Sequence, residues 1–405
     1  MDERDVSGTG GGSSGSGKPT VVLAHPSPDL YGSDRMLLES IRALIGGYRV
    51  VVTLPQDGPL CPLLREEGAE VVILPVPVLR KATLRRPLRL LAETLRALRP
   101  AIAFLRRERP ALLYVNTVTI PVWLLAGRLA GIPMLGHVHE AEERVPGPFR
   151  LLLYLPMRPA RVVVANSRAT AEAIGAAVPR RRVCIILNGI EGPPEPIPPV
   201  SAEPPAEPHL VLVGRLSENK GSDVAIEAVR LLRAEGHKVR LTLVGSIYPG
   251  YEWYEARLRE LAAQPGAEVE FAGFQPGPWR ALAEADIALM PSRREPFGLV
   301  AVEAMMAGRP LVASAAQGLK EVVADGRTGV LVTPGDPAAL ADGVRRLLAD
   351  WPAAVAMAER ARQEANRRFA KDRYYRDLRQ TVDGLASVAA SSSTGPRPNG
   401  DQKQR

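Results

Sequence analysis

The residues best suited to chemistry sit in the run Glu295-Pro296-Phe297-Gly298-Leu299-Val300-Ala301-Val302-Glu303. A strand-like apolar run from Asp286 to Met290 precedes it, with a short basic loop, Pro291 to Arg294, in between. Pro296 suits the first position of a helix, where its missing N–H costs nothing, and Gly308 with Pro310 supplies a stop. On one helix, the 1.5 Å rise per residue would set the two carboxylates roughly 12 Å apart along the axis, with bearings about 80° apart. One glutamate then stands at the helix mouth and the other deeper on broadly the same side. Free N–H groups near Phe297, Gly298 and Leu299 would cradle an anion between them. Carboxylate, anion cradle and carboxylate form a receptor for a molecule with hydroxyls at both ends and phosphate in the middle. A nucleotide-sugar has that shape. Two glutamates at this spacing also suit an ordinary surface helix, so the reading depends on their partners.

Those partners follow in Gly214-Arg215-Leu216-Ser217-Glu218-Asn219-Lys220-Gly221, which leaves another apolar run and enters a helical one. Arg215 and Lys220 beside a diphosphate would make strong charge-assisted hydrogen bonds. The chain has no Asp-x-Asp and no His/Asp cluster at ligand spacing. No metal is therefore expected, and these two cations with the helix N-terminus would meet the charge of a leaving group.

Together the Glu295–Glu303 run and the G-R-x-x-x-x-K-G segment resemble the signature of retaining glycosyltransferases of family 4, which share the two-domain GT-B fold. The resemblance implies sugar transfer from a nucleoside-diphosphate sugar, without metal or cofactor. It implies that Glu303 holds the ribose hydroxyls, Arg215 and Lys220 the diphosphate, and Glu295 the sugar hydroxyls. Amides near Gly298 and Leu299 would hold the donor's central polar groups. Within His25 to Arg35, Gly32 matches the family's glycine-rich first loop, near the donor phosphate, while Tyr31 stands where the family often has a second glycine. In Gly136-His137-Val138-His139-Glu140, His139 fits the family's histidine beside the reacting sugar better than His137 does. Phe271-Ala272-Gly273-Phe274 is similar to the base-binding turn, which assigns Phe274 to the nucleobase. Asn166-Ser167 and Asn188-Gly189 also match recurrent family positions, but read more simply as a helix cap and a turn.

Such loops need a scaffold, and the chain offers two. A length of 405 residues exceeds what one core usually supports. Apolar runs at Val21–His25, Arg49–Leu54, Glu70–Leu74, Leu112–Val115, Pro133–His137, Arg161–Ala165 and Val183–Leu187 alternate with helical stretches. The pattern restarts at His209–Val213, Val239–Val244, Glu268–Phe271, Asp286–Met290, Pro310–Ala313 and Gly329–Val332. Continuous apolar runs, rather than alternating ones, predict parallel strands buried on both faces. The fold class is therefore α/β, with two Rossmann-like doubly wound domains facing a cleft. The expected boundaries are a disordered leader over 1–18, an acceptor-side domain over 19–190 and a Pro-rich linker over 191–208. A donor-binding domain follows over 209–352, then a helix crossing back to the first domain over 353–390 and a disordered tail over 391–405.

Net charge is +8, carried mostly by arginine, which permits anionic partners without choosing among them. No basic motif interleaved with aromatics appears, so nucleic acid is not expected. Cys61 and Cys184 match no metal or redox spacing. No apolar run reaches the roughly 18 residues of a membrane span and no signal segment is recognised, which predicts a cytoplasmic protein. One basic segment stands out over 80–109: Leu84, Leu88, Leu91, Leu95, Leu98, Ile102 and Leu105 recur at helical spacing among six arginines. Pro87 and Pro100 are expected to interrupt any single helix there. This segment would suit a packed helix with solvated arginines, or peripheral contact with an anionic membrane and a lipid-linked or glycan acceptor. The reading that results is a retaining glycosyltransferase of polysaccharide, glycolipid or envelope-glycan synthesis. Alternatives are another GT-B enzyme, such as a sugar-nucleotide epimerase or a phosphorylase, and a non-catalytic sugar-nucleotide-binding scaffold.

Overall fold

Valine- and leucine-rich runs of three to six residues pair into two wholly parallel sheets. The computed structural model describes residues 17–79, 87–142, 147–248 and 250–393, so most of the expected leader, the end of the expected tail and the first part of the basic segment lie outside the described residues. The first sheet holds β1 (Thr20–Ala24), β2 (Arg49–Leu54), β3 (Glu70–Ile73), β4 (Leu112–Val115), β5 (Met134–Val138), β6 (Val162–Ala165) and β7 (Val183–Ile185), in the order β3-β2-β1-β4-β5-β6-β7. The second holds β8 (His209–Val213), β9 (Arg240–Val244), β10 (Val269–Gly273), β11 (Ile287–Met290), β12 (Leu311–Ser314) and β13 (Val330–Val332), in the order β10-β9-β8-β11-β12-β13. Helices cover both faces, which is why Val21–Ala24 and Val50–Leu54 are buried at every position. In each sheet the strand order reverses beside the first strand, β1 against β4 and β8 against β11. Ligands of such sheets bind outside the carboxyl ends at that crevice.

Three helical expectations are corrected. The helix after β11 runs Leu299–Met306 and does not start at Pro296, because Gly298 caps it in a left-handed conformation, φ 104° and ψ 58°. Glu295 therefore lies in the loop, and the estimate of two carboxylates on one helix fails. Second, Pro87–Glu108 is one helix that continues through Pro100. Pro87 is its first residue, where no N–H is needed, and Pro100 is exposed, leaving room for its ring on the solvent side. Third, the expected long C-terminal run is two helices, Trp351–Arg368 and Lys371–Ser393. The second of these takes residues 391–393 of the expected disordered tail into a helix.

The break between those helices lets the chain change domains. Trp351–Arg368 packs on Leu299–Met306, whereas Lys371–Ser393 packs on Gly32–Leu44 of the N-terminal half. At the break, the Ile190 N–H donates to Phe369 O at 2.9 Å. Beyond it, Tyr374 shares a hydrogen bond with Ser40 at 2.8 Å, and Arg379 donates to Ala43 O. The Pro-rich stretch 191–208 forms neither helix nor strand, yet it is moored: Arg309 donates to Pro198 O and Trp351 Nε1 to Ser201 O. One buried apolar cluster runs from Leu37 and Ile41 through Tyr374 and Leu378 to Met305, so the two halves share part of their core.

Candidate active site

Loops leaving the carboxyl ends of both sheets meet around a cavity of about 470 Å³. Gly32, His139, Arg215, Lys220, Phe274, Glu295, Gly298, Leu299 and Glu303 all line it. The sequence-selected residues are thus gathered in one place, from positions as far apart as 32 and 303.

The loops at the carboxyl end of the second sheet are stapled to each other. The Arg293 guanidinium straddles Asp223 at 2.8 and 2.7 Å and donates to Glu218 O, while its backbone N–H donates to Asn219 O. That fork fixes the loop carrying Lys220 against the loop carrying Glu295. Lys220 Nζ then lies 2.5 Å from Glu295 Oε2. Gly298 turns the chain into the helix, and a Cβ there would meet Leu319 Cδ2 at 2.5 Å. The first-turn amides of Leu299 and Val300, both on the cavity wall, have no acceptor within their own helix.

Glu303 sits one turn further in and is fully buried. Arg35 Nη2 lies 2.5 Å from its Oε1, but neither oxygen accepts a directed hydrogen bond among the described residues. Burial pushes its carboxyl pKa up, against the pull of Arg35 and Lys220. Beyond the Arg35 pair this buried carboxylate keeps unmet acceptor capacity, which is costly unless a ligand supplies donors.

Arg215 is held by stacking. Its guanidinium carbon lies 3.6 Å from the ring centre of Tyr31 and 3.6 Å from that of Tyr248, between rings 5.7 Å apart. Tyr31 comes from the N-terminal half, so the residue that replaces the family's second glycine closes a sandwich across the cleft. Tyr248 is itself oriented by Asp29 at 3.1 Å.

On the N-terminal wall a polar chain orients His139. Its Nε2 lies 2.8 Å from Asn116 Oδ1, which can only accept, so Nε2 carries the proton and Nδ1 keeps its lone pair. Asn116 Nδ2 donates to His25 Nδ1 at 3.0 Å, and His25 Nε2 donates to Asp34 Oδ1 at 2.7 Å. Burial, with the neighbouring His137 and His25, lowers the His139 pKa well below the usual histidine range. Burial alone lowers His137 to about 3. Both rings are therefore neutral at pH 7.

The signs of these shifts fix a pH dependence. In the unfolded chain His137 takes up a proton near pH 6.5, whereas in the folded protein it does not until about pH 3. Its contribution is fully present above pH 6.5 and is lost as pH falls. Between pH 6.5 and 5 it removes about 2 kcal/mol of stability. Glu303 and Glu140, raised by burial, act in the opposite direction, so the test is a difference. In urea unfolding, the wild-type stability should fall more steeply than that of His137→Gln over this range. Equal slopes would mean that His137 titrates as if in water.

Cross-cleft bonds complete the wall. Ser167 Oγ donates to Pro296 O at 2.7 Å, and Glu321 accepts from the Arg168 and Ala169 amides at 3.0 Å each. Ser167 also caps its helix as expected, and Asn166 and Asn188 both line the cavity. Four positions escaped the sequence reading in their observed roles: Arg35, Tyr31 as a stacking face, Tyr248 and Asn116. Only Arg35 carried a signal, three residues after Gly32 and so on the same helix face.

Comparison with known proteins agrees with this architecture. Residues 195–364 match the family of glycosyl transferases group 1, and residues 32–189 match the glycosyl transferase 4-like domain. The chain belongs to the group 1 glycosyltransferases, of the family 4-like kind. Its fold is similar to that of Anabaena HepE in complex with UDP-glucose, with a TM-score of 0.76, 23% identity, and coverage of 90% of this chain and 100% of that one. It is also similar to sucrose-phosphate synthase from Thermosynechococcus elongatus, with a TM-score of 0.72, 21% identity, and coverage of 92% and 100%. At such identities the likeness is one of fold, and the fold is GT-B. Among curated relatives, the D-inositol 3-phosphate glycosyltransferase of Corynebacterium urealyticum is 35% identical over 192 residues, 45% of this chain and 44% of that protein. A glycogen synthase of Mycobacterium tuberculosis is 37% identical over 218 residues, 53% and 50% respectively. The matches thus span about half the length of these relatives.

Proposed function

We propose that this chain is a retaining glycosyltransferase that moves a sugar from a nucleoside-diphosphate sugar to an acceptor hydroxyl, in glycan or glycolipid assembly. The observation that carries the reading is Glu303, a fully buried carboxylate on the cavity wall, paired with Arg35 through Oε1 and with no hydrogen bond to Oε2 among the described residues. Two vicinal ribose hydroxyls would supply what it lacks. Arg215, Lys220 and the amides of Leu299 and Val300 lie on the same wall and would hold the diphosphate without a metal. Phe274 would meet the nucleobase, and Gly32 would let backbone approach the phosphates.

In the reaction, the bond from the anomeric carbon to the diphosphate oxygen breaks and one to the acceptor oxygen forms on the same face. The acceptor proton passes to the departing phosphate. Glu295, already paired with Lys220, holds sugar hydroxyls in this scheme, and His139 Nδ1 accepts a hydrogen bond from a sugar or acceptor hydroxyl. UDP is the first nucleotide to try, because the HepE structures contain it.

The test is a thermal-shift comparison of UDP, GDP and ADP in EDTA, followed by sugar transfer to added acceptors. A nucleotide at a hundred times its Kd stabilises by about 2.7 kcal/mol, a shift of a few degrees. Wild type should show that shift with one nucleotide, and Glu303→Ala should lose it. No shift with any nucleotide or matching nucleotide-sugar would overturn the donor site. A shift without sugar transfer or donor hydrolysis would favour the non-catalytic scaffold.

A further inference from the structure

Outside the cleft, the N-terminal half carries a group of exposed apolar side chains among its described residues. Along Pro87–Glu108, Leu105 is buried in the core, with Leu98 and Ile102 packed against it. Leu88, Leu91 and Leu95 continue the same face, within about 100° around the axis, yet they are 82%, 56% and 58% exposed. The first turns of the stripe therefore overhang the domain. This helix packs along Pro121–Ala130, which meets the turn at Leu155–Met157 and, through it, the helix Gly147–Tyr154. Phe149 and Leu152, on that last helix, are each 66% exposed. Nine of the fifteen exposed large apolar side chains among the described residues fall between Leu88 and Leu155. Singly scattered ones are ordinary; a concentration like this marks a contact surface.

Charge selects the partner. Exposed Arg96 and Arg99 follow the stripe within about 80° of its edge. Arg128 and Arg158 flank Leu152 and Leu155 in a surface groove. Glu93, the acid nearest the leucines in sequence, is already paired with Arg89 at 2.7 Å. An apolar stripe with an arginine shoulder is the pattern of a helix lying in the headgroup layer of an anionic bilayer. No helix among the described residues is long and apolar enough to cross one, so the contact would be a surface one.

We propose that this face docks on an anionic lipid bilayer and holds the N-terminal wall of the cleft beside it. Topology supplies the second half of that statement. The helices beginning at Pro87 and Gly147 come next in the chain after β3 and β5, and the carboxyl end of β5 leads into His139 on the cavity wall. The same chain segment that places His139 in the cavity leads on to Phe149. Docking stands on the surface alone. Its consequence, an acceptor hydroxyl carried on a lipid and entering from the bilayer side, rests on the transferase reading.

The experiment is co-sedimentation of the full chain with vesicles of phosphatidylcholine, alone or with phosphatidylglycerol, at low and high salt. Wild type should bind the anionic vesicles only and lose binding in high salt. Arg96→Gln/Arg99→Gln should bind about 30-fold more weakly. Leu88→Ser/Leu91→Ser/Leu95→Ser should lose binding, and because these side chains are exposed it should keep the wild-type melting temperature. Equal binding to neutral vesicles, or variants that bind like wild type, would overturn the proposal. So would a wild-type dimer that the leucine variant converts to monomer without any vesicle binding. Nucleotide-induced thermal shifts in the same samples separate the two readings: shift without vesicle binding sinks docking, and vesicle binding without any shift sinks the donor site.

Discussion

Arg215→Lys is expected to lower turnover by about 10²–10³-fold, nearly as far as Arg215→Ala, although it keeps the charge. The reason is the sandwich. A planar guanidinium fills the space between Tyr31 and Tyr248 at 3.6 Å from each ring centre, and an ammonium on a flexible stem does not. With its plane fixed, the edge of the guanidinium is the part left to meet a phosphate. A lysine would bring charge to the cleft without that direction. Because the leaving diphosphate gains charge as the bond breaks, the loss should fall on kcat more than on KM. Tyr31→Phe keeps the ring face and should stay near wild type, while Tyr31→Gly, which restores the glycine common in the family, should lose part of the rate. An Arg215→Lys enzyme that retains most of its turnover would show that only the charge matters and that the stack is incidental.

The contrast between Arg215 and Tyr248 also shows what a sequence can disclose. Arg215, Lys220, Glu295 and Glu303 were legible because their segments resemble the family 4 signature, and they line one cavity; the strands were legible because both faces are buried. The runs at Val21 and His209 need no partner to be recognised. Tyr248 and Asn116 act through residues in other loops, Tyr31 and His139, and nothing in local periodicity records a contact across a cleft. The helix start at Leu299 failed for a related reason. Pro296 offered a good local signal, but position 298 takes a left-handed turn, φ 104°, that only glycine adopts readily, and this holds the helix start back to Leu299. Pro100 failed in the other direction, since an exposed, otherwise well-packed helix of 22 residues absorbs the lost hydrogen bond.

Gly245→Ala is expected to cost about 3 kcal/mol or more, and to take the proposed diphosphate site with it. Two terms act together. Its φ of 145° is one that side-chain-bearing residues rarely adopt, and a Cβ would lie 1.9 Å from Gly214 O, a backbone atom that no rotamer change can move. Bonds lace the strand ends on either side: Gly214 N–H to Val244 O at 2.8 Å, Gly245 N–H to Gly273 O at 2.8 Å, and Leu216 N–H to Ser246 O at 3.0 Å. Relief of the clash must therefore push away Gly214 and the adjoining Arg215, which carries the stack. Gly266 provides the control: its φ is 82°, but nothing lies within 4 Å of its would-be Cβ. Gly266→Ala should thus show the backbone term alone, about 1 kcal/mol. Urea midpoints of the two variants separate strain from collision, and nucleotide thermal shifts report whether the site survives. If Gly245→Ala unfolds no more easily than Gly266→Ala, the strand ends yield without cost and the close packing of β8 against β9 does not hold Arg215 in place.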